Sequence, residues 1–209
     1  MRRHAIGLLA AVGLVLGGCG DADDARRAPT SADSPQAPEA GAALPPGTQG
    51  RWWEWAASAR EGDDPVSDPS GADCRRNQPA DVWFLAGTFG TAVTRRCDAP
   101  AGRPVVVPVV NLFGAADDCR AFMATAQGSV DLDGNALPIE RIDNEPVSFV
   151  GVAGNAMGTG TEPVEAVGCG LWARIPDLKA GVHQLRVRGG SGDFEVSVDY
   201  RLQAFARAA

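Results

Sequence analysis

The C-terminal part of the chain alternates between apolar and polar residues. From residue 194 to residue 202, every second side chain is apolar, and Glu, Ser, Asp and Arg occupy the positions between. This period of two predicts a strand with one face in the core and one in water. Leu185 and Val187 form a similar run. The Gly189-Gly190-Ser191-Gly192 stretch after them can supply the positive φ angles of a hairpin. The two runs are therefore predicted to pair antiparallel.

Short apolar runs separated by Gly and Pro continue upstream. They predict further strands over residues 82–86, 92–97, 105–111, 146–152 and 171–175. This punctuation is typical of an all-β fold, a β-sandwich or a jelly-roll-like arrangement with mainly antiparallel strands. Pro108 cannot donate to a strand ladder, which predicts an edge strand or a bulge. Two short helices are also predicted, over residues 51–60 and 115–125.

Three tryptophans lie within "RWWEW" at the start of the first predicted helix. Helical spacing puts Trp52, Trp55, Ala56 and Ala59 on one face, which favours a helix that docks on the core. Trp53 falls on another face and is expected to be partly exposed. The alternative is a carbohydrate platform, in which flat rings stack on sugars.

The N-terminus has the pattern of a bacterial lipoprotein signal. Arg2 and Arg3 precede a short apolar segment over residues 5–16, and Leu-Gly-Gly-Cys follows, ending at Cys19. Small residues admit a peptidase, and the thiol accepts a diacylglycerol. Residues 1–18 are thus predicted to be a signal peptide, and Cys19 the lipidation site, which with palmitate-like acyl chains anchors the protein. An ordinary signal peptide with a chance cysteine is the alternative.

The predicted anchor also indicates a location. Gly20 is not the aspartate that retains lipoproteins in the inner membrane, so the outer membrane is expected in a Gram-negative cell. In a Gram-positive cell the outer face of the plasma membrane is expected.

Composition divides the mature chain into a tether and one domain. Residues 19–50 are rich in Ala, Asp and Pro and are predicted to be a disordered tether, with residues 51–209 as a single β-rich domain. Removing residues 1–18 changes the formal net charge from −7 to −9. That acidity argues against nucleic acid as a partner. The expected partners are the membrane, through the lipid, and an envelope protein or glycan.

Four cysteines remain after Cys19 is assigned to lipid. An even number in an exported chain predicts two disulfides, and three connectivities are possible. The pairing of Cys74 with Cys97 and of Cys119 with Cys169 is favoured, because it joins near neighbours in each half of the chain. A zinc site is the alternative, although no C-x-x-C motif occurs and the mature chain has one histidine.

Other candidates for chemistry have simpler structural interpretations. His183 is in phase with the apolar positions of its strand and is expected to be structural rather than a catalytic base. Asp131, Asp133 and Asn135 match the first ligand positions of a calcium loop, but positions 6 and 12 do not fit. An Asp-Gly turn between two strands explains the same residues.

The loop "EGDDPVSDPSGAD" contributes acidic residues that could bind a ligand or calcium. With Trp53, its residues Asp63, Asp64 and Asp68 form the candidate ligand surface, and a solvated acidic loop is the alternative. A glycosidase needs two carboxylates at a fixed separation, a condition that the many acids neither support nor exclude. We therefore predict no catalytic residue, no cofactor and no dedicated metal site.

Part of the chain resembles an uncharacterised family of exported bacterial domains. The family pattern has W-x-W, then Cys, Gln and V-W-F-L-A-G-T, then R-x-C, P-A-G and P-x-x-N, and finally G-x-H-x-L. The matching residues are Trp53, Trp55, Cys74, Gln78, residues 82–88, Arg95, Cys97, residues 100–102, Pro108, Asn111, Gly181, His183 and Leu185.

The resemblance implies a β-rich extracytoplasmic domain, supports the Cys74–Cys97 bridge and transfers no active site. Cys119 and Cys169 depart from the pattern, so their bridge rests on parity alone. The sequence thus predicts a lipid-anchored envelope domain that acts as a non-catalytic binding or structural module. A carbohydrate-interacting module or glycoside-acting enzyme is the alternative.

Overall fold

The computed structural model describes residues 43–206. The predicted signal peptide, Cys19 and most of the predicted tether lie outside the described residues. Within residues 43–206, helix α1 spans Thr48–Ala56 and helix α2 spans Ala116–Thr125. The same part of the chain contains nine strands: β1 (Trp83–Phe84), β2 (Ala92–Pro100), β3 (Val105–Gly114), β4 (Gln127–Leu132), β5 (Asn135–Ala136), β6 (Glu140–Val150), β7 (Pro163–Ile175), β8 (Gly181–Ser191) and β9 (Phe194–Phe205).

The strands form two sheets, and the predicted all-β fold with two short helices is confirmed. One sheet has four strands in the order β1-β3-β7-β6, and the other has five in the order β2-β9-β8-β4-β5. Pairing is antiparallel except for β1 with β3 and β2 with β9, which are parallel. The predicted hairpin forms as β8 and β9, with Ser191 opposite Phe194.

Apolar residues fill two layers, one on each face of the four-stranded sheet. The alternating residues of β9 and β8 pack between the sheets, together with Val105 and Val107 of β3. Val106, on the opposite face of β3, packs with Trp172 and α1 in a second cluster. Burial on both faces explains the nearly continuous valine run of β3.

Pro108 lies at a bulge, as one of the two sequence alternatives predicted. The register of β3 against β7 shifts between Pro108 and Val110. β3 is not an edge strand, but β1 pairs only with Val105 and Val106. The proline, which has no N–H, therefore falls where β3 has no partner on that side.

The folded domain begins earlier than the sequence predicted. α1 starts at Thr48 and ends at Ala56, whereas composition predicted a helix over residues 51–60 and a tether up to residue 50. Leu44 is 7% exposed and its N–H donates to a Glu140 carboxylate oxygen at 2.6 Å. Gln49 is buried and donates to Glu145 Oε2 at 2.8 Å. Composition alone could not predict these long-range contacts to β6.

Both favoured disulfides are confirmed. Cys74 and Cys97 join the long loop between α1 and β1 to β2, with Cα atoms 6.0 Å apart. Cys119 and Cys169 join α2 to β7, with Cα atoms 5.8 Å apart. All four cysteine sulfurs of residues 43–206 are therefore used in bridges, and the zinc alternative is wrong.

A buried arginine joins the loops at one end of the sandwich. Arg95 of β2 is 1% exposed. Its guanidinium donates at 2.7–3.0 Å to four backbone carbonyls, those of Val66, Asp68, Ala86 and Gly87. It also donates to the Tyr200 hydroxyl at 3.0 Å, which itself donates to the Ala86 carbonyl at 2.7 Å. A buried charge is tolerated here because its hydrogen bonds are made.

Replacing Arg95 by lysine should destabilise the domain by about 3–5 kcal/mol, because lysine cannot reproduce the planar fork and leaves carbonyls without partners. Guanidinium-induced unfolding of the full-length chain measures the loss. The exposed neighbour provides the control, since Arg96→Lys should change stability by no more than about 0.5 kcal/mol. Equal stability of the two variants would contradict the assigned role.

Candidate functional site

The three clustered tryptophans are core residues. Trp52 and Trp55 are 2% and 3% exposed, as expected for the docking face of α1. The expectation for Trp53 was wrong, since it is only 6% exposed. Its ring centroid lies 4.7 Å from that of Phe113 and 6.5 Å from that of Phe149, so the aromatic side chains of β3 and β6 cover a second face of the helix. These rings therefore offer no flat platform to a sugar.

The acidic loop uses its carboxylates to hold its own turns. Asp64 is fully buried, and one of its oxygens accepts from the N–H groups of Val66 and Ser67, both at 2.9 Å. Asp68 is 7% exposed and accepts from the Asp73 N–H at 2.9 Å. Of the three candidate acids only Asp63 is exposed, so the predicted ligand surface is not assembled.

The charge state of Asp68 follows from these contacts. Burial raises its pKa, but hydrogen bonds from Asp73 and Ser70 and the nearby charge of Arg95 outweigh burial, so the pKa lies below its ordinary value. The Asp68 carboxylate is therefore ionised, and it accepts hydrogen bonds within the loop to which Arg95 donates.

The calcium candidates form a hairpin turn instead. Asp133 and Gly134 have φ angles of 54° and 85°, as a type I′ turn between β4 and β5 requires. Asp131 accepts from the Gly134 N–H at 2.9 Å, while the amide nitrogen of Asn135 points to backbone carbonyls of the turn. The Asp-Gly turn is confirmed. Between residues 43 and 206 no group of three or more His, Cys, Asp and Glu residues is placed to hold a metal ion.

His183 is held between two acceptors. Its Nδ1 lies 2.6 Å from Asp133 Oδ2 and its Nε2 lies 2.9 Å from the Lys179 carbonyl. Only the imidazolium carries a proton on both nitrogens. Burial lowers the pKa of His183, but these hydrogen bonds outweigh burial, so the pKa lies above its ordinary value. Burial raises the pKa of Asp133, and hydrogen bonds from Gln184 N–H and His183 lower it below its ordinary value. The histidine is structural.

The most specific part of the sequence pattern frames a groove. Gln78 Nε2 donates to the carbonyls of Cys74 and Phe84 at 2.7 and 2.8 Å, and Oε1 accepts from the Phe84 N–H at 2.8 Å. The Gln78 amide thus forms hydrogen bonds with the backbone of β1 as a neighbouring strand would. Together with β3 it fixes Trp83, the neighbour of Phe84 in β1.

Trp83 lines a groove of about 360 Å³ beside the Cys74–Cys97 bridge. We call it the arginine–tryptophan groove; its principal residues are Arg75, Trp83, Asp98, Pro100, Arg103 and Phe205. The Arg103 guanidinium carbon lies 5.6 Å from the centroid of the Trp83 ring, and Arg103 also donates to the Pro79 carbonyl at 3.2 Å. The volume is within the range of small-molecule sites.

Two residues of the groove lining carry a buried hydrogen-bond donor. Trp83 Nε1 and Arg103 Nε are both inaccessible to solvent, and neither has a partner. Each such buried donor costs about 1–3 kcal/mol. Arg75 is exposed and forms no ion pair within residues 43–206. Among residues 43–206 the charged side chains of the lining are Arg75, Arg103 and Asp98, which gives the groove a net positive charge in an acidic protein.

The sequence analysis did not select this groove. Trp83 was noted only as part of a motif, while Arg75, Arg103 and Phe205 belong to separate stretches of the chain. The available signal was the position of Arg103, directly after the matched P-A-G. Arg103 directly precedes β3, and β3 pairs with β1, the strand that carries the motif tryptophan.

Comparison of the chain with models of protein families, with curated proteins and with solved structures finds no match in any of the three. In the described part of the chain, neither helix combines the length and apolar character needed to cross a membrane.

The His183–Asp133 pair should make stability depend on pH at both ends. Because the pKa of His183 is raised by folding, its contribution is complete below the unfolded value of about 6.5 and is lost as the pH rises through the folded value. Because the pKa of Asp133 is lowered, its contribution is present above the unfolded value of about 3.9 and is lost as the pH falls through the folded value.

An NMR titration of the full-length chain, with the resonance assigned by His183→Gln, measures the histidine directly. We expect a pKa above about 6.5 in the natural sequence and a lower one in Asp133→Asn, with no change in the exposed control Asp193→Asn. An unchanged pKa in Asp133→Asn would contradict the pairing.

Proposed function

We propose that this chain is a lipid-anchored binding module of the bacterial cell envelope, without catalysis, that holds small anionic ligands in the arginine–tryptophan groove. Cys19 after the predicted signal peptide supports the anchor. The observation that carries the binding proposal is a groove of about 360 Å³ that brings the cationic side chains of Arg75 and Arg103 together with the ring of Trp83.

The chemistry of the groove selects the ligand class. An anionic oxygen accepts from guanidinium N–H groups and is favoured by the positive charges of Arg75 and Arg103. Pro100 and the half-exposed ring of Phe205 supply an apolar wall. A carboxylate or phosphate joined to a compact apolar body satisfies both parts of the lining. An anion there would be repelled by Asp98 of the lining and by Asp81, whose carboxylate interacts with the charge of Arg103.

The non-catalytic part of the proposal is supported by the state of the candidate acids and base. Asp64 and Asp68 are occupied by backbone N–H groups of their loop. His183 is occupied by Asp133 and the Lys179 carbonyl. A carbohydrate-interacting or glycoside-acting role remains the second proposal, but Trp53 and these two acids, which were expected to carry it, are buried.

Benzoate is a simple probe of the groove, with neutral benzamide as its matched control. In the full-length chain, benzoate should shift the indole N–H resonance of Trp83, assigned with Trp83→Phe, with a Kd of about 1 mM. Benzamide should bind about tenfold more weakly, because charge-assisted hydrogen bonds are roughly twice as strong as neutral ones.

Substitutions distinguish binding of benzoate in the groove from general attraction of an anion to positive charge. Arg75→Gln and Arg103→Gln should each weaken benzoate binding, whereas Arg120→Gln on the exposed surface of α2 should not. Equal binding of benzoate and benzamide, or no effect of Arg103→Gln, would refute the proposal.

A further inference from the structure

A second groove lies on the solvent-exposed face of the five-stranded sheet, near the turn between β8 and β9. It has a volume of about 540 Å³, and we call it the Gly190 groove; its principal residues are Gln127, Ser129, Arg188, Gly190, Glu195 and Ser197. Ten residues of β9 separate Glu195 from Phe205 of the arginine–tryptophan groove. That spacing corresponds to roughly 33 Å, so the two grooves are separate.

Strand register places a glycine between two polar side chains. Gly190 of β8 is opposite Gln127 of β4 on one side and Glu195 of β9 on the other. Val187 of β8 packs in the core, so Gly190, three residues further along the strand, faces outward. Neighbouring strands are about 4.8 Å apart, so the Cα atoms of Gln127 and Glu195 lie roughly 10 Å apart across the glycine. Side chains stand nearly perpendicular to a sheet, so these two form the walls of a slot with Gly190 as its floor.

The groove is recessed because β4 and β8 approach β3 closely. A Cβ atom at Gly189 would collide with the Val109 carbonyl, and one at Gly128 would collide with Val109 Cγ1. Val109 lies at the bulge of β3. Only glycine permits the strands to lie this close, and the outer surface of the sheet is correspondingly recessed at this point.

Glu195 supplies the unpaired charge of the groove. Arg188 is the other charged residue of the lining, and it pairs with Asp199 at 2.6 Å. Its guanidinium also donates to the Val187 and Val198 carbonyls at 2.8 and 3.1 Å. Within residues 43–206, Glu195 forms no ion pair. The groove therefore presents a carboxylate without a counter-charge.

The surroundings of the groove also favour a cation. Asp193 is exposed in the turn beside Gly192, which itself lines the groove. The next outward-facing arginine of β8, Arg186, lies 3.6 Å from Asp131 and is thus partly neutralised. The whole chain has a formal net charge of −7. An anion would meet the charge of Glu195, whereas a cation would pair with it.

The remaining side chains of the lining offer oxygen acceptors. Gln127 and Ser129 are exposed and Ser197 is half-buried, so their amide and hydroxyl groups are accessible. A primary ammonium has three N–H donors and no acceptor, which suits a carboxylate flanked by such oxygens. Among the described residues no aromatic side chain lines the groove, so a sugar would find no ring on which to pack.

We propose that the Gly190 groove binds the primary ammonium group of a small ligand. The ammonium lies over Gly190, pairs with the Glu195 carboxylate and donates to the side-chain oxygens of Gln127 and Ser197. The volume of about 540 Å³ leaves room for the body of a small molecule. The proposal does not depend on the anion-binding proposal, because the two grooves share no lining residue.

Ethanolamine is the probe, and ethylene glycol is the matched control, in which a hydroxyl replaces the ammonium. With the full-length chain at neutral pH and constant ionic strength, ethanolamine should shift the side-chain amide resonances of Gln127, assigned with Gln127→Ala, with a Kd of about 10 mM. The backbone amide resonance of Gly190 should shift with the same Kd. Ethylene glycol should leave both in place, because it has no charge to pair with Glu195. Equal shifts by the two compounds would overturn the proposal.

Choline distinguishes hydrogen bonding from charge alone. Its quaternary ammonium keeps the positive charge but has no N–H group, so it should bind about tenfold more weakly than ethanolamine. Equal binding of choline and ethanolamine would refute the assignment to a primary ammonium.

A substitution on the surface tests the carboxylate without disturbing the fold. Glu195→Gln preserves the shape of an exposed side chain and should weaken ethanolamine binding about tenfold. Asp98→Asn removes an exposed carboxylate from β2, at the other end of the same sheet face, and should leave binding unchanged. Unchanged binding in Glu195→Gln, an equal loss in both variants, or no shift of Gln127 at about 100 mM ethanolamine would each overturn the proposal.

Discussion

The buried guanidinium of Arg95 is the interaction on which the rest of the domain depends. Its hydrogen bonds reach two loops and Tyr200, so one side chain joins the acidic loop, the crossover between the sheets and β9. A single carboxylate could neutralise the charge of Arg95 through one contact. The four carbonyls belong to separate segments of the chain, so binding all of them fixes how these segments are arranged. Arg95 therefore fixes the conformation of parts of the chain that contain little secondary structure.

That order determines where binding could occur. Arg95 binds the carbonyls of Ala86 and Gly87 just after β1, and Trp83 of β1 lines the arginine–tryptophan groove. The Cys74–Cys97 bridge joins the long loop between α1 and β1 to β2. Trp83 lies on β1 and Arg103 lies between β2 and β3, so the paired strands set the positions of these two side chains.

Periodicity predicted those features that depend on local pattern. The alternating residues of β9, the helix with Trp52 and Trp55, and the pairing of the cysteines were all accessible from sequence. Features set by distant contacts were not. Burial of Trp53 depends on Phe113 and Phe149, the start of the domain depends on Glu140 and Glu145, and β4 escaped notice because Val130 is its one fully buried residue. The groove was missed for the same reason, since its residues meet only through the sheet topology.

The most direct test of this account is hydrogen exchange of arginine Nε–H groups in the full-length chain, followed by NMR and assigned with Arg95→Lys. If Arg95 is the buried hub, its Nε–H will exchange far more slowly than those of exposed arginines such as Arg96, because exchange requires opening of the loops that it joins. Exchange as fast as at Arg96 would mean that the guanidinium is solvated, and Arg95 would not be the residue that joins these loops.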